Sequence, residues 1–286
     1  MTHGNYIIRH MHREEMAIAI QWAEREGWNP GKFDAESYFY ADPEGFFIGE
    51  LDGRIIAMIS IVRYGNDFAF LGFYIVQAEY RGRGFGLAIW REASRFAGAR
   101  IIGLDGVPAQ EGNYRKSGFA FQYNHIRCCG VAPAGRPSES PAGVVSVAEI
   151  PFDELVAYDA RRFGVARKTF LKYWVRQTGS VGLAVRTPAG NVTGYGMMRP
   201  ASTGQRIGPL FADTPEMAET LFDALVHQVP PGAKYFIDMP EINANAEALA
   251  DRHRLKPGSQ TVRMYANGVL NLPVSEIYGT TTLELG

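Results

Sequence analysis

Three glycines and two arginines fall within six residues in the first third of the chain. The six residues are Arg81, Gly82, Arg83, Gly84, Phe85 and Gly86. They follow an apolar run at 68–76 and precede a helical pattern at 87–94. Glycines let a backbone turn tightly and approach a ligand, and the first turn of a helix offers unpaired N–H groups. The stretch is therefore predicted to be a strand-to-helix turn that holds phosphate.

Three phosphate-binding patterns can be compared with this turn. A Walker loop ends in Gly-Lys-Ser/Thr, whereas Gly86 is followed by Leu87. A Rossmann fingerprint follows the first strand of a parallel unit, whereas a predicted antiparallel meander precedes this turn. The third pattern, Gln/Arg-x-x-Gly-x-Gly/Ala after a strand, is met by Arg81, Gly84 and Gly86. Taken alone, the motif is equally compatible with a turn that only connects a strand to a helix.

The elements around the turn follow from apolar periodicity and from Gly, Pro and Asn breakers. In the first half, strands are predicted at 6–9, 46–51, 54–63, 68–76, 101–106 and 119–128, with helices at 12–28, from 34, at 87–96 and at 110–116. The proline-rich segment 131–143 is interpreted as a linker. In the second half, strands are predicted at 144–150, 181–187, 192–199, 206–212, 234–239 and 260–265, with helices at 152–163, 166–176, 215–227 and 243–252. The sequence thus predicts an α+β protein with an internal repeat and domains at 1–130 and 144–286.

The two copies of the repeat differ where chemistry is expected. The glycine-rich stretch corresponds to Asp213-Thr214-Pro215-Glu216, which has no glycine and carries two carboxylates. Those carboxylates would repel a pyrophosphate. Tyr114 of the first half corresponds to Ala250 of the second. Any chemistry on a phosphate-bearing ligand is therefore expected in the first half.

The first half resembles the GCN5-related N-acetyltransferase (GNAT) family in three places. These are the strand, loop and helix from Phe68, the fifth strand with Leu104-Asp105-Gly106, and the motif Tyr114-x-x-x-Gly118-Phe119. The whole chain is similar to a subfamily with two tandem domains of this fold, through segments 170–174, 207–210 and 237–243. The resemblance implies two GNAT-like domains, each a mixed, mostly antiparallel sheet flanked by helices, with a degenerate C-terminal copy.

The resemblance also implies acetyl-CoA as co-substrate and residues that would hold it. In this fold the fourth and fifth strands splay apart, and the pantetheine arm pairs with the free backbone of the fourth, here Tyr74, Ile75 and Val76. N–H groups of the glycine-rich stretch would bind the phosphates. Asn113 is expected near CoA, although the segment between the fifth strand and the following helix is shorter than is usual in the family.

Two residues are candidates for proton transfer in the direct attack of an amine on the thioester. Tyr114 is expected to be the acid, because a phenol with a pKa near ~10 is protonated at neutral pH and can protonate the thiolate. Its alternative is a tyrosine that packs the helix on the sheet. Asp105 could orient or deprotonate the amine, and a turn or capping aspartate is an equally good interpretation.

Four residues are candidates for the acceptor pocket. Trp28 and Asp34 lie in the region that usually forms the wall of the acceptor pocket in the GNAT family. Asp238 and Asn243 cluster where a strand of the second half ends. The alternative for the last two is that Asn243 caps its helix and the second half only buries apolar surface.

Composition narrows the function classes. A net charge of -1 and a pI near 6.6 argue against nucleic-acid and membrane-surface partners. The two cysteines, Cys128 and Cys129, are expected to be inert thiols in a cytoplasmic protein, and the histidines show no metal-ligand spacing. Together with the resemblance to the GNAT family, these observations predict an N-acetyltransferase for a small-molecule primary amine, without a metal. A non-catalytic acyl-CoA sensor and a protein acceptor remain alternatives.

Overall fold

The computed structural model describes residues 4–135 and 143–286. The strands are β1 (Tyr6–His10), β2 (Phe46–Leu51), β3 (Arg54–Tyr64), β4 (Phe68–Val76), β5 (Ile101–Gly106), β6 (Ala120–Val131), β7 (Val144–Ser146), β8 (Val181–Arg186), β9 (Val192–Pro200), β10 (Gln205–Ala212), β11 (Lys234–Pro240), β12 (Lys256–Ala266) and β13 (Ile277–Gly279). The helices are α1 (Met16–Arg25), α2 (Asp34–Ala41), α3 (Phe85–Ala97), α4 (Glu111–Lys116), α5 (Phe152–Phe163), α6 (Lys168–Trp174), α7 (Pro215–Val226) and α8 (Ala244–Arg252). The predicted α+β class and the repeated order of elements are confirmed. Most of the predicted linker, residues 136–142, lies outside the described residues.

A few predicted elements have different limits. The helix expected at 12–28 is shorter: it ends at Arg25, and Gly27 then adopts a left-handed φ of 79°. The strand expected at 144–150 ends at Ser146, where a 3-10 turn begins. The short strand β13 was not predicted.

Within the part of the chain that the structure describes, the strands form one continuous sheet. Its order is β1-β2-β3-β4-β5-β12-β6-β11-β10-β9-β8-β7, with β13 paired to β10. β12 comes from the second half yet lies between β5 and β6 of the first, with Val262 opposite Gly106. β6 in turn pairs with β11 of the second half. The division into domains at residues 130 and 144 stays a prediction, and the sheet runs across it.

The parallel pair at the centre of the first half separates midway. β4 and β5 pair only from Phe68 opposite Ile101 to Leu71 opposite Leu104. Directly afterwards β4 has a β-bulge, because Gly72 faces Ser60 and Ile75 faces Met58, which leaves Phe73 and Tyr74 opposite a single residue of β3. A bulge bends a strand and ends its regular pairing. The rest of β4 stays on β3, and its other edge opens towards β5.

The second half has the corresponding parallel pair, and there the split is filled. β10 and β11 pair from Gln205 to Ile207. Beyond that point β13 pairs with β10, with Gly279 opposite Leu210. The N–H of Thr280 then donates to the carbonyl of Asp238 on β11 at 2.9 Å. A segment of the chain itself therefore lies in the split of the second half.

Aromatic contacts join the two halves. Tyr38 of α2 stacks on Trp174 of α6 with ring centroids 6.2 Å apart, and Tyr40 stacks on Tyr173 at 4.3 Å. Tyr38 and Trp174 belong to one buried apolar cluster with residues of both halves. Full burial of a large apolar side chain contributes roughly 1.5–3 kcal/mol. The halves thus share a core.

Among the described helices, none has the length and apolar character that a membrane crossing requires.

Candidate functional site

A cavity of about 730 Å³ occupies the split between β4 and β5. Seven of the residues predicted to hold the co-substrate line it: Tyr74, Ile75, Val76, Arg81, Gly82, Gly84 and Gly86. Trp28, Asp105 and Tyr114 also belong to its wall. Arg83, Phe85, Asn113, Asp34, Asp238 and Asn243 do not. The structure therefore brings most of the predicted loop and strand residues together around one space.

The glycines of the loop serve two different purposes. Gly82 and Gly84 have left-handed φ values of 72° and 88°, and a Cβ built on either meets no atom of the described residues within 4 Å. A Cβ on Gly86 would lie 2.6 Å from the Tyr74 hydroxyl oxygen. Gly84 is the N-cap of α3, so the first N–H groups of that helix follow the loop directly. The loop is open above its first two glycines and tightly packed at its third, which suits a bound phosphate chain.

The two arginines of the loop have different surroundings. Arg81 donates from Nε to the carbonyl of Val76 and from Nη2 to Glu26 Oε1, both at 2.7 Å. Glu26 also lines the cavity, so this pair lies at its mouth. Arg83 lies over the rings of Tyr80 and Phe85, 5.6 and 5.3 Å from their centroids. Arg81 is consequently the better placed cation.

Two residues predicted to contact the co-substrate, Phe85 and Asn113, do not line the cavity. The ring of Phe85 is buried against Tyr6, with centroids 4.8 Å apart, so its side chain packs in the core and only its backbone N–H is left for a ligand. Asn113 is exposed and donates to Gln110 Oε1 at 2.7 Å. Gln110 lines the cavity in its place.

Tyr114 is positioned by a glycine and by a tryptophan. A Cβ on Gly106 of β5 would lie 2.1 Å from Tyr114 Cε2, so the ring occupies space that only glycine leaves free. The Tyr114 ring also stacks on Trp90 of α3, with ring centroids 5.9 Å apart and ring planes inclined by 21°. Burial, reinforced by the nearby Tyr74 hydroxyl, raises the pKa of Tyr114 to about 12. At neutral pH the phenol is therefore protonated and able to donate.

The structure corrects the expectation that Asp105 could act as a base. Its side chain has no exposed surface, and it accepts from Arg263 Nε at 2.8 Å, from Arg263 Nη2 at 2.7 Å and from His125 Nδ1 at 3.0 Å. Burial alone would raise the pKa of Asp105, but the charge of Arg263 and the hydrogen bonds from Arg263 and His125 outweigh it and lower the pKa. Asp105 instead ties β5 to β12 of the second half.

Asp34 is also occupied. It is fully buried and accepts from Arg199 Nε at 2.9 Å, from the Tyr38 hydroxyl at 3.0 Å and from the Gly31 N–H at 2.9 Å. The residue predicted to wall the acceptor side therefore links α2 to β9.

The acceptor role predicted for Asp238 and Asn243 is corrected in the same way. Asp238 binds Arg127 through two hydrogen bonds of 2.7 and 3.0 Å and is also paired with Arg206. Burial would raise the pKa of Asp238, but both arginines together hold it well below its usual range. Asn243 accepts from the Asn245 N–H at 3.0 Å as the cap of α8. Trp28 keeps its predicted place on the wall, and its carbonyl accepts from Arg127 at 2.7 Å.

Sequence reasoning missed residues that reach the cavity from the second half. They are Ser259, Gln260 and Thr261 of β12, together with Leu283 and Glu284 of the C-terminal tail (residues 280–286). Glu284 is only 3% exposed, and the buried hydroxyl of Thr261 has no hydrogen-bond partner within residues 4–135 and 143–286. No local motif marks these residues, because their position depends on the insertion of β12 beside β5.

A separate polar cluster lies in the second half. Ligand atoms of Glu219, Asp223 and His253 come within 4.8 Å of one another. The packing of α8 against α7 creates this group, which sequence spacing did not indicate. Arg252 already donates to Glu219 at 2.7 Å. We assign the group no role, and the absence of a metal from the reaction stays an expectation.

Comparisons with known proteins agree with this geometry. Residues 11–119 match the Acetyltransferase (GNAT) family and residues 155–279 match the Acetyltransferase (GNAT) domain. Holothin acyltransferase of Pseudoalteromonas sp. (strain SANK 73390) is 32% identical over 273 residues, which cover 96% of this chain and 92% of that protein.

Solved structures share the fold over nearly the whole chain. A Pyrococcus horikoshii protein assigned as an acetyltransferase superposes with a TM-score of 0.80 at 24% identity, covering 98% of this chain and 96% of its own. A tandem GNAT protein from the clavulanic acid biosynthesis pathway gives a TM-score of 0.64 at 14% identity, covering 93% and 100%. With both halves matched and the loop, split and bulge in place, the chain belongs to the GNAT superfamily of acyltransferases, as a member with two tandem GNAT domains.

Proposed function

We propose that the first half of the chain transfers an acetyl group from acetyl-CoA to a primary amine of a small molecule. The observation that carries the proposal is the continuity of three parts around one cavity. These parts are the open edge of β4 after its bulge, the glycine loop at the start of α3, and the buried hydroxyl of Tyr114.

The residues around the cavity suit each part of the co-substrate. The backbone of Tyr74, Ile75 and Val76 borders the split, and strand edges pair readily with amide groups of an extended ligand. The open backbone of Gly82 and Gly84, next to the start of α3 and to Arg81, suits a pyrophosphate. When bound, acetyl-CoA would supply an activated acetyl group.

The chain's contribution to the reaction is positioning and one proton. The ammonium group first loses one proton to solvent, and the neutral amine then forms the new C–N bond while the C–S bond breaks. The nitrogen releases a second proton to solvent, and Tyr114 donates its hydroxyl proton to the departing sulfur. Tyr114 regains a proton from solvent, so one proton is released in each cycle. Asp105 is left out of this scheme because its oxygens are bound to Arg263 and His125.

A cytoplasmic location is part of the proposal. Cys128 and Cys129 are both free thiols in the structure, which is what a reducing compartment favours.

Calorimetric titration with acetyl-CoA tests the co-substrate site. We expect Gly84→Glu to abolish binding, because a carboxylate would enter the space proposed for phosphate. Gly53→Glu is the matched control: Gly53 has a similar left-handed φ of 81° and open surroundings, but lies in the β2–β3 turn and not on the cavity. No binding to the folded wild type would contradict the proposal. Binding without thiol release with any amine would favour the acyl-CoA sensor.

A further inference from the structure

Three buried carboxylates meet where the two halves join, and one of them lacks strong partners. Asp238 is paired with two arginines, and Asp34 accepts from Arg199, a tyrosine and a backbone N–H. Among the described residues, Glu284 accepts a hydrogen bond only from the Tyr38 hydroxyl, at 3.2 Å, and it shares that single proton with Asp34. Of the arginines that the structure describes, Arg206 brings its guanidinium nearest, with a nitrogen 3.6 Å away. Of the three carboxylates, Glu284 alone lines the cavity.

A buried carboxylate is costly unless a cation or several donors offset its desolvation. The side chain of Glu284 is only 2% exposed, so water offers little compensation. The arginine it approaches is shared with Asp238, which receives the shorter contact. A cationic ligand in the cavity would complete the coordination of Glu284.

The backbone of the C-terminal tail fixes Glu284 at the inner end of the split. A Cβ on Gly72 would lie 2.0 Å from the Glu284 carbonyl oxygen, so the tail rests directly on the start of the β4 bulge. Gly72 is four residues from Val76, roughly 13 Å along a strand. Glu284 therefore lies at the opposite end of the β4 edge from the glycine loop.

The tail is anchored on both sides of Glu284. Arg167 donates to the Thr281 hydroxyl at 2.7 Å, and Tyr64 donates to the Leu285 carbonyl at 3.0 Å. The N–H of Leu285 donates to the Thr282 hydroxyl at 2.8 Å. This anchoring holds the carboxylate in place before any ligand binds.

The residues that line the cavity near Glu284 indicate the character of the rest of the ligand. Trp28, Phe73 and Leu283 contribute apolar character, and Thr261 contributes a hydroxyl that has no partner in the described part of the chain. We infer that Glu284 binds the amino group of the acceptor, and that the acceptor is a cationic primary amine on a compact, largely apolar body with one further polar group for Thr261. This inference rests on the proposed function and assigns the acceptor site to a residue of the second half.

Binding of a matched amine and alcohol tests the inference. The probes are 2-phenylethylamine and 2-phenylethanol, titrated into the wild type saturated with CoA, which cannot transfer. We expect the wild type to bind the amine about 10- to 100-fold more tightly than the alcohol, as expected for a hydrogen bond to a charged group. Glu284→Gln should remove this preference while acetyl-CoA affinity stays within about twofold.

Two further variants separate binding from folding. Glu284→Asp keeps the charge of the network but draws the carboxylate back from the cavity, and it should lose about tenfold of the preference. Asp34→Asn alters the same buried network away from the cavity and should keep the preference.

An unchanged preference in Glu284→Gln or Glu284→Asp, or an equal loss in Asp34→Asn, would overturn the inference. The inference would also be overturned if the wild type bound CoA but bound the amine no more tightly than the alcohol. In that case the proposed function would stand. Failure of the wild type to bind CoA would overturn the proposed function itself.

Discussion

The split of the first half and the split of the second half start from the same architecture and end differently. In both, a parallel pair separates midway, after Leu71 on β4 and after Ile207 on β10. The first split forms a cavity of about 730 Å³, whereas β13 pairs with β10 in the second. One short segment thus decides which copy of the fold can accept an extended ligand.

The loops at the two splits also differ, and again the first half is the one that leaves room for a ligand. In the first half the loop has open glycines before α3. In the second half the Asp213 carboxylate accepts from the Tyr158 hydroxyl at 2.8 Å and binds Arg162. The Thr214 hydroxyl caps α7 by accepting a hydrogen bond from the Met217 N–H of that helix. Pro215, the first residue of α7, has no N–H to offer. The second loop therefore stabilises its own helix, whereas the first leaves open space above Gly82 and Gly84.

The segment that fills the second split also completes the first. The chain runs from β13 through Thr280, bound to the Asp238 carbonyl, to Glu284 beside Gly72. The filled split of one half and the proposed acceptor wall of the other are thus two results of one chain path. The following predictions test this division of roles, from the largest expected effect to the smallest.

Asp238→Ala should destabilise the whole protein. It would leave Arg127 and Arg206 buried without their shared carboxylate, and breaking such a pair costs about 3–5 kcal/mol. Chemical denaturation would show the loss as a lower midpoint. Asp251→Ala, an exposed residue of α8, is the control and should change stability by less than about 0.5 kcal/mol. A stable Asp238→Ala protein with weakened acceptor binding would restore the role that the sequence suggested.

Tyr114→Phe should lower kcat by about 100-fold while the affinity for acetyl-CoA stays unchanged, because only the proton donor is lost. Steady-state thiol release separates the two quantities. Tyr235→Phe is a matched control in the second half, where Tyr235 packs against Phe222 in the core and does not line the cavity. Unchanged turnover in Tyr114→Phe would leave this tyrosine with a packing role only.

Stability should fall in acid through the buried carboxylates. The pKa of Asp105 is lowered in the folded state, so its contribution is present above the unfolded pKa of about 3.9 and is lost as the pH falls below it. Each proton that the unfolded chain binds and the folded protein does not bind changes the free energy of unfolding by about 1.4 kcal/mol per pH unit. Asp105→Asn should reduce the slope of the unfolding free energy below pH ~4. An identical slope in wild type and variant would contradict the assignment.

Arg81→Ala should weaken acetyl-CoA binding by about tenfold, since one charge-assisted contact to a phosphate is lost. Stability should hardly change, because Arg81 and Glu26 are half exposed and surface pairs contribute about 0–1 kcal/mol. Arg95→Ala, which breaks a similarly exposed pair with Glu92 and does not line the cavity, is the control for both measurements. Equal affinity of the two variants would remove Arg81 from the phosphate site.

The sequence was informative where function depends on contiguous residues. The glycine loop, the strand before it and Tyr114 all follow from local pattern, and the structure places the strand edge, Arg81, three loop glycines and Tyr114 around one cavity. Asp34 and Asp238 were misinterpreted because their partners are remote: Arg199 is 165 residues from Asp34, and Arg127 is 111 residues from Asp238. A buried ion pair cannot be told from a ligand-binding acid without its partner.

The insertion of β12 into the sheet of the first half could not be predicted from local sequence pattern either. The periodicity of β12 predicts a strand but does not choose its neighbours, and here those are β5 and β6 of the other half. β13 has only three residues, too few for a periodic signal. Glu284 was missed for the same reason, because its place beside Gly72 depends on the path of the tail that follows β13.

The stoichiometry of acetyl-CoA binding tests the contrast between the two splits most directly. Calorimetric titration of the wild type should give one acetyl-CoA per chain, because β13 occupies the second split. The same titration of Gly84→Glu should give none. Two molecules per chain, or one that survives in Gly84→Glu, would contradict the account and place a ligand site in the second half.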